Sequence, residues 1–263
     1  LHLCDRRQRQ MCIRDRVISQ ECIGTGVYSM WINTEAAQSA AAGQFVSVYC
    51  KDKTKLLPRP ISICQVNKEE NSLRLVYRVV GGGTAEMSAY KAGEDIELIG
   101  PLGNGFMLRE GKKAILIGGG IGIPPMVQLS AELKSKAEVQ IVAGYRDELF
   151  LTEELEDNGK LFIATEDGSM GTKGTVIDAI KEYKIEGDVI YACGPTPMLK
   201  AIKEYALEAG IECQLSLEER MACGIGACLA CVCNSKEKDS HSNVHNKRIC
   251  KDGPVFLAEE VEL

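Results

Sequence analysis

The sequence is short of several things, and each shortage removes a class of function. It has no surplus of positive charge: 37 acidic residues outnumber 31 basic ones, for a net charge of −6. A nucleic-acid surface or a polybasic membrane patch needs the opposite balance, so no nucleic acid and no membrane is expected as a partner. No apolar run approaches the roughly 18 residues of a membrane span, and "AILIGGGIGI" from Ala114 is short and broken by glycine. No secretory signal is visible. The segment after "IECQLSLEE" is poor in aliphatic side chains and too small to hold itself by hydrophobic burial. A metal centre is expected to supply much of its folding free energy.

Against these shortages stand 263 residues, 45% of them hydrophobic, enough for more than one core. Twelve cysteines are present, and five of them crowd into Cys223 to Cys250. That crowding favours metal ligation in a reducing cytoplasm over a disulfide framework. The first sixteen residues, "LHLCDRRQRQMCIRDR", carry five arginines and neither an amphipathic period nor a strand pattern. Residues 1–16 are therefore expected to be a non-native or disordered leader, with no function for Cys4 or Cys12.

From residue 17 to 108 the chain consists of short β-like runs, "GVYSMWIN", "GQFVSVYC", "RPISIC", "LRLVYRVV" and "EDIELIG", punctuated by glycine and proline. They predict a small antiparallel barrel or sandwich. At Lys112 the pattern changes: "KAILIGGG" is an apolar run fit for a parallel strand buried on both faces, and strand and helix then alternate to about residue 212. This second part reads as a Rossmann-like α/β domain. Residues 213–263 make a third part, so the fold class is α+β and multidomain.

Cys223, Cys228 and Cys231 stand in C-x4-C-x2-C spacing, with Cys250 further on. This is the plant-type spacing of a [2Fe–2S] cluster. A structural zinc site prefers two C-x2-4-C knuckles. Gly224 and Gly226 suit a loop that turns backbone N–H groups toward sulfur. Cys233 is read as a buried small hydrophobe or a substitute ligand, and His241 and His245 as solvated.

Phosphate-binding features lie upstream. In "RPISI", Arg59 offers a fork for a pyrophosphate, with Pro60, Ile61 and Ser62 beside a flavin ring. Tyr77, Arg78 and Val79 lead into a glycine triplet whose Gly82, Gly83 and Thr84 form an anion nest. Two such features in one barrel imply a dinucleotide. In the second part, Gly119, Gly120 and Gly122 lie in "GGGIGIPP", between a buried strand and a helix, an imperfect G-x-G-x-x-G because Ile123 takes the last position. "CGPTPML" places Cys193, Gly194 and Pro195 at the end of another buried strand, and Asp147 is placed to accept from ribose hydroxyls, which favours NAD over NADP.

"RPISI", "GGGT", "GPLGNGF", "GGGIGIPPM", "TEDGS", "CGPTPML", "SLEERMACGIGACLACVC" and "CKDGPVF" together resemble the electron-transfer subunits of bacterial type B dihydroorotate dehydrogenase, within the ferredoxin reductase superfamily. The resemblance runs from Val17 to Phe256. It implies a FAD-binding β-barrel, a NAD-binding Rossmann-like domain and a small [2Fe–2S] domain held by Cys223, Cys228, Cys231 and Cys250. It also implies an FMN-containing catalytic partner, in a heterotetramer of two plus two chains that serves pyrimidine biosynthesis in the cytoplasm. Electrons would pass from the partner's FMN through the cluster and FAD to NAD+, with Ser62 and Cys193 aligning flavin and nicotinamide. Rival expectations are the small subunit of an NAD(P)H:ferredoxin oxidoreductase or sulfide dehydrogenase-type complex, and a zinc-stabilised nucleotide-binding module.

Overall fold

The computed structural model describes residues 15–236, 238 and 244–263. Cys4, Cys12 and His241 lie outside the described residues. Six strands make the first sheet: β1 (Arg16–Gly24), β2 (Val27–Asn33), β3 (Phe45–Tyr49), β4 (Arg59–Asn67), β5 (Ser72–Arg78) and β6 (Glu97–Leu102). Their order is β1-β2-β5-β4-β3-β6, and every pairing is antiparallel. The two edges then meet. Val17 N–H donates to Glu94 O at 2.9 Å and Ile96 N–H donates to Asp15 O at 3.1 Å, so the sheet closes into a barrel.

Asp15 and Arg16, expected in the leader, are thus part of the barrel seam. Arg16 pairs with Asp95 at 3.2 Å, and burial pushes the Asp15 carboxyl up to about 6. Along β3 the period-2 alternation sorts the side chains. Val46 and Val48 enter the barrel core with Ile63, Leu73 and Leu75, while Phe45 and Ser47 face outward to the rest of the chain. A short helix, α1 (Gly82–Met87), links β5 to β6.

The second sheet contains β7 (Lys113–Gly119), β8 (Glu138–Tyr145), β9 (Lys160–Thr165), β10 (Thr172–Lys173), β11 (Val189–Cys193) and β12 (Glu212–Ser216). These six are parallel, in the order β10-β9-β8-β7-β11-β12. Helices α2 (Pro124–Leu133), α3 (Thr152–Glu156), α4 (Val176–Glu182) and α5 (Thr196–Ala209) connect them. The strand order reverses between β7 and β11, and it is outside the carboxyl ends of such a pair that open α/β sheets bind ligands.

The last part is not free-standing. After the cysteine loop come the hairpin β13 (Val232–Asn234) and β14 (Asn246–Arg248), then β15 (Val255–Leu257), which returns to pair antiparallel with β12. The division expected after residue 212 therefore falls inside a strand. Cys231, Ile249, Cys250, Phe256 and Val261 share one core with Ile202 of α5 and Leu215 of β12 in the second sheet. Burial against that sheet supplies the support that the aliphatic-poor segment lacks by itself.

Candidate functional site

Two motifs of the barrel converge. Arg59, at the start of β4, lies over α1 so closely that a Cβ on Gly83 would come 1.8 Å from the arginine Nε. Glycine there lets the guanidinium settle beside the unpaired N–H groups of the first helical turn. The Thr84 hydroxyl accepts from Val80 N at 2.9 Å and Gly81 N at 3.2 Å and donates to Gly81 O at 3.1 Å, which fixes the turn. Glu86 pins the neighbouring loop by accepting from Lys55 Nζ at 2.7 Å and Lys51 N at 2.6 Å. Burial works to raise its carboxyl, but Lys55, Tyr90 and these N–H groups hold it down to about 2.

A cavity of about 350 Å³ opens beside this turn. Arg59, Pro60, Ile61, Ser62, Tyr77, Arg78 and Thr84 line it. Val79, Gly82 and Gly83 are not on its wall. Phe45, Ile121, Ser216, Glu218 and Met221 are, so the cavity lies where barrel, second sheet and cysteine segment meet. Nothing in the spacing singles out Glu218 or Met221; only their place in "SLEERMAC" beside the thiols could have drawn attention to them.

The carboxyl ends of the parallel strands carry a second cavity of about 780 Å³, lined by Gly119, Gly120, Pro195, Arg146, Glu166 and Lys181 among others. Gly122 and Gly194 stand behind this wall, where the two loops pack backbone to backbone: a Cβ on Gly122 would lie 2.3 Å from Cys193 O. Asp147 lines an adjoining cavity of about 830 Å³ with Arg78, Gly120 and Arg146. Its carboxylate accepts from Glu148 N at 2.8 Å. Cys193 is fully buried and lines none of the three; burial pushes its thiol up to about 12, and Ser216 stands beside it. The expectation that this thiol faces a nicotinamide pocket is corrected: Cys193 packs in the core cluster that holds Leu116, Ile123 and Tyr191, because β11 is buried along its whole length. Ile121 on the first cavity and Gly120 on the other two make the glycine turn their common wall.

The four cysteines come together as two pairs. The Cys228 side chain hydrogen-bonds Cys223, and the Cys231 side chain hydrogen-bonds Cys250. Backbone N–H groups turn toward their sulfurs: Ile225 N at 3.5 Å and Ala227 N at 3.3 Å to Cys223 Sγ, Gly226 N at 3.1 Å to Cys250 Sγ, and Cys250 N at 3.4 Å to Cys231 Sγ. Positive φ at Gly224 (69°) and Gly226 (83°) lets the loop curl this way. Burial alone would raise the Cys223 thiol, but the N–H of Ile225, the Cys228 thiol and further N–H groups hold it down to about 6. Burial and the Cys231 thiol push Cys250 up to about 12.

Two thiol pairs suit the two irons of a [2Fe–2S] rhomb. Cys233 sits half-buried against the shared core, and His245 Nδ1 contacts Lys236 O at 2.9 Å.

Residues 218–262 match the family model described as the iron–sulfur cluster binding domain of dihydroorotate dehydrogenase B, and residues 116–204 match the oxidoreductase NAD-binding domain. A curated relative from Caldanaerobacter subterraneus subsp. tengcongensis, the electron transfer subunit of dihydroorotate dehydrogenase B (NAD(+)), is 43% identical over 95% of this chain and 98% of its own. The protein of the same name from Listeria innocua is 45% identical over 94% of this chain and 98% of its own. The solved structure of an NADH-dependent reduced ferredoxin-NADP oxidoreductase aligns with a TM-score of 0.85 at 30% identity, covering 94% of this chain and 89% of that one. A ferredoxin reductase in carbazole 1,9a-dioxygenase, at 19% identity and a TM-score of 0.64 over 75% of this chain and 65% of its own, shares the fold.

Proposed function

The chain belongs to the family of electron-transfer subunits of NAD-dependent dihydroorotate dehydrogenase B, and from that membership we propose which of its residues do the work. It is an oxidoreductase subunit that uses FAD, a [2Fe–2S] cluster and NAD and serves a catalytic partner subunit. When bound, the three groups supply hydride exchange at nicotinamide and flavin and one-electron exchange at the iron–sulfur centre.

The thiolates of Cys223, Cys228, Cys231 and Cys250 hold the cluster; the observation that carries this is their division into two pairs with backbone N–H groups aimed at sulfur. Arg59, Gly82, Gly83 and Thr84 hold the FAD pyrophosphate, for the guanidinium resting on Gly83 joins a fixed cation to free N–H groups. Pro60, Ile61, Ser62, Tyr77 and Arg78 flank the flavin, with the Ser62 hydroxyl as the polar group facing the ring, and Val79 leads from β5 into the pyrophosphate turn. Gly119, Gly120 and Pro195 give NAD a wall with few side chains, Gly122 and Gly194 let the two loops behind that wall pack together, and Asp147 serves the ribose from the adjoining wall. Cys193 acts as a positioning residue: its buried, neutral thiol packs the turn that carries Gly194 and Pro195. Alignment of this kind is where the protein lowers the barrier to hydride transfer, by up to about 7–11 kcal/mol in favourable cases.

The partner is an FMN-containing catalytic subunit in a two-plus-two heterotetramer. Its docking surface is the apolar rim of the cysteine segment, where Ile225 (57%), Leu229 (54%) and Val244 (46%) stand exposed. The working compartment is the cytoplasm, in keeping with ten described cysteines that are all free. Among the described residues no helix is long and apolar enough to cross a membrane. Anaerobic titration of the purified chain with NADH tests the reading, with flavin bleaching followed by absorbance and the reduced cluster by EPR. Both signals are expected to respond. Flavin without any cluster signal after iron reconstitution would overturn the assignment of the four thiols.

A further inference from the structure

Ser47 is 1% exposed, and its hydroxyl has no hydrogen-bond partner among the described residues. Ser72 and Thr172 share that condition, but they sit at the start of β5 and on the outlying strand β10. Ser47 is set against the cysteine loop: a Cβ on Gly224, the residue after Cys223, would come 2.7 Å from Ser47 Oγ. The glycine is what allows the loop to lie that close. Buried hydroxyls in folded proteins find acceptors, and the nearest acceptor chemistry that a loaded loop would bring is sulfur.

The position of Ser47 within the barrel sharpens this. It opposes Pro60 across the β3–β4 pairing, and it shares the outward face of β3 with Phe45. Pro60 and Phe45 both line the flavin-side cavity. Ser47 therefore belongs to the piece of barrel wall that separates that cavity from the thiols.

Resting on the assignment of the cluster to Cys223, Cys228, Cys231 and Cys250, we propose that Ser47 is a positioning residue for the iron–sulfur centre. Its hydroxyl donates a hydrogen bond into the sulfur shell and thereby raises the cluster's reduction potential. Hydrogen bonds to sulfur stabilise the extra negative charge of the reduced state, and they are among the terms that set such potentials. A donor on the barrel wall thus tunes the centre from the flavin side, with no ligand supplied by the barrel.

The test is an EPR-monitored redox titration of the full chain carrying its flavin and cluster, with the flavin midpoint read by absorbance in the same samples. Ser47→Ala is expected to make cluster reduction about tenfold less favourable, which for one electron is a fall of about 59 mV. Iron content and the flavin midpoint should stay at their wild-type values, and Ser47→Thr, which keeps the hydroxyl, should restore the potential. A cluster midpoint unmoved in Ser47→Ala would overturn the proposal. So would a shift confined to the flavin, which would give the hydroxyl to that ligand, or loss of iron, which would make Ser47 merely structural. Wild-type protein without any cluster signal would instead sink the assignment of the four thiols before a variant is made.

Discussion

Cys223 and Cys228 stand at the surface of the cysteine loop, whereas Cys231 and Cys250 are each 2% exposed and share a core with Phe256 and Val261. Backbone N–H groups surround the outer sulfur of Cys223 and hold it toward the thiolate; burial drives the inner Cys250 the other way, toward the thiol. The loop thus prepares Cys223 electrostatically and places Cys250 by hydrophobic anchoring. As a metal ligand Cys250 would have to give up its proton first, so metal binding there would release a proton and depend on pH.

Serine substitution should separate the two halves most sharply. Cys231→Ser or Cys250→Ser replaces a thiol of the proposed ligand set and also trades a buried sulfur for a smaller, more polar hydroxyl, at a cost of about 1 kcal/mol. Near-complete loss of iron and a lower unfolding midpoint are expected for both. Cys228→Ser, at an exposed position, should lose iron only in part and unfold like the wild type. Iron analysis and thermal denaturation read both quantities, and equal losses for inner and outer variants would remove the distinction.

The next effect is one of pH, measured on iron-free protein. Cys223, lowered from 9.0 to about 6, is thiolate at neutral pH; Cys250, raised from 9.0 to about 12, is not. Since the thiolate is the nucleophile, iodoacetamide at pH 8 should label Cys223 quickly and leave Cys250 untouched, as peptide mass spectrometry would report. Linkage gives the two thiols opposite effects on stability. The depressed group stabilises the iron-free fold fully above pH 9, and that contribution is lost as pH falls through about 6. The raised group stabilises it below pH 9 and loses that contribution as pH rises toward about 12. Equal labelling of the two at pH 8 would contradict the comparison.

The two halves also differ in how far the sequence discloses them. The curled cysteine loop was legible because C-x4-C-x2-C is local: the spacing, with Gly224 and Gly226 between, calls for a loop that turns back on itself. The barrel and the parallel sheet were legible for a related reason, since alternating and continuous apolar runs such as those of β3 and β7 report their own burial. What spacing does not carry is contact between distant segments. The return of β15 to the edge of β12, the packing of Gly122 on the Cys193 backbone and the place of Asp147 on the adjoining cavity all depend on how distant segments stack. Ser47 facing Gly224 is the same kind of fact, invisible until the barrel and the loop are laid together.

The smallest effect concerns the tie between the halves. Arg248, at the end of β14, donates from Nε to Asp252 Oδ2 at 3.1 Å and from Nη2 to Asp252 Oδ1 at 3.2 Å, while Nη1 reaches Gly226 O at 3.3 Å. One guanidinium therefore fastens the turn after Cys250 to the loop that carries Cys223, and the N–H of that same Gly226 donates to Cys250 Sγ. Lysine keeps the charge but cannot make the fork and the third contact together. Arg248→Lys should cost about 1 kcal/mol, in the range of a single hydrogen bond. The measurement is the rate at which a chelator strips iron, expected to rise several-fold while the EPR spectrum of the protein still loaded keeps its shape. An unchanged rate would mean that the inner anchor alone holds the loop, and the outer pair would then follow the hydrophobic core without any polar tie of its own.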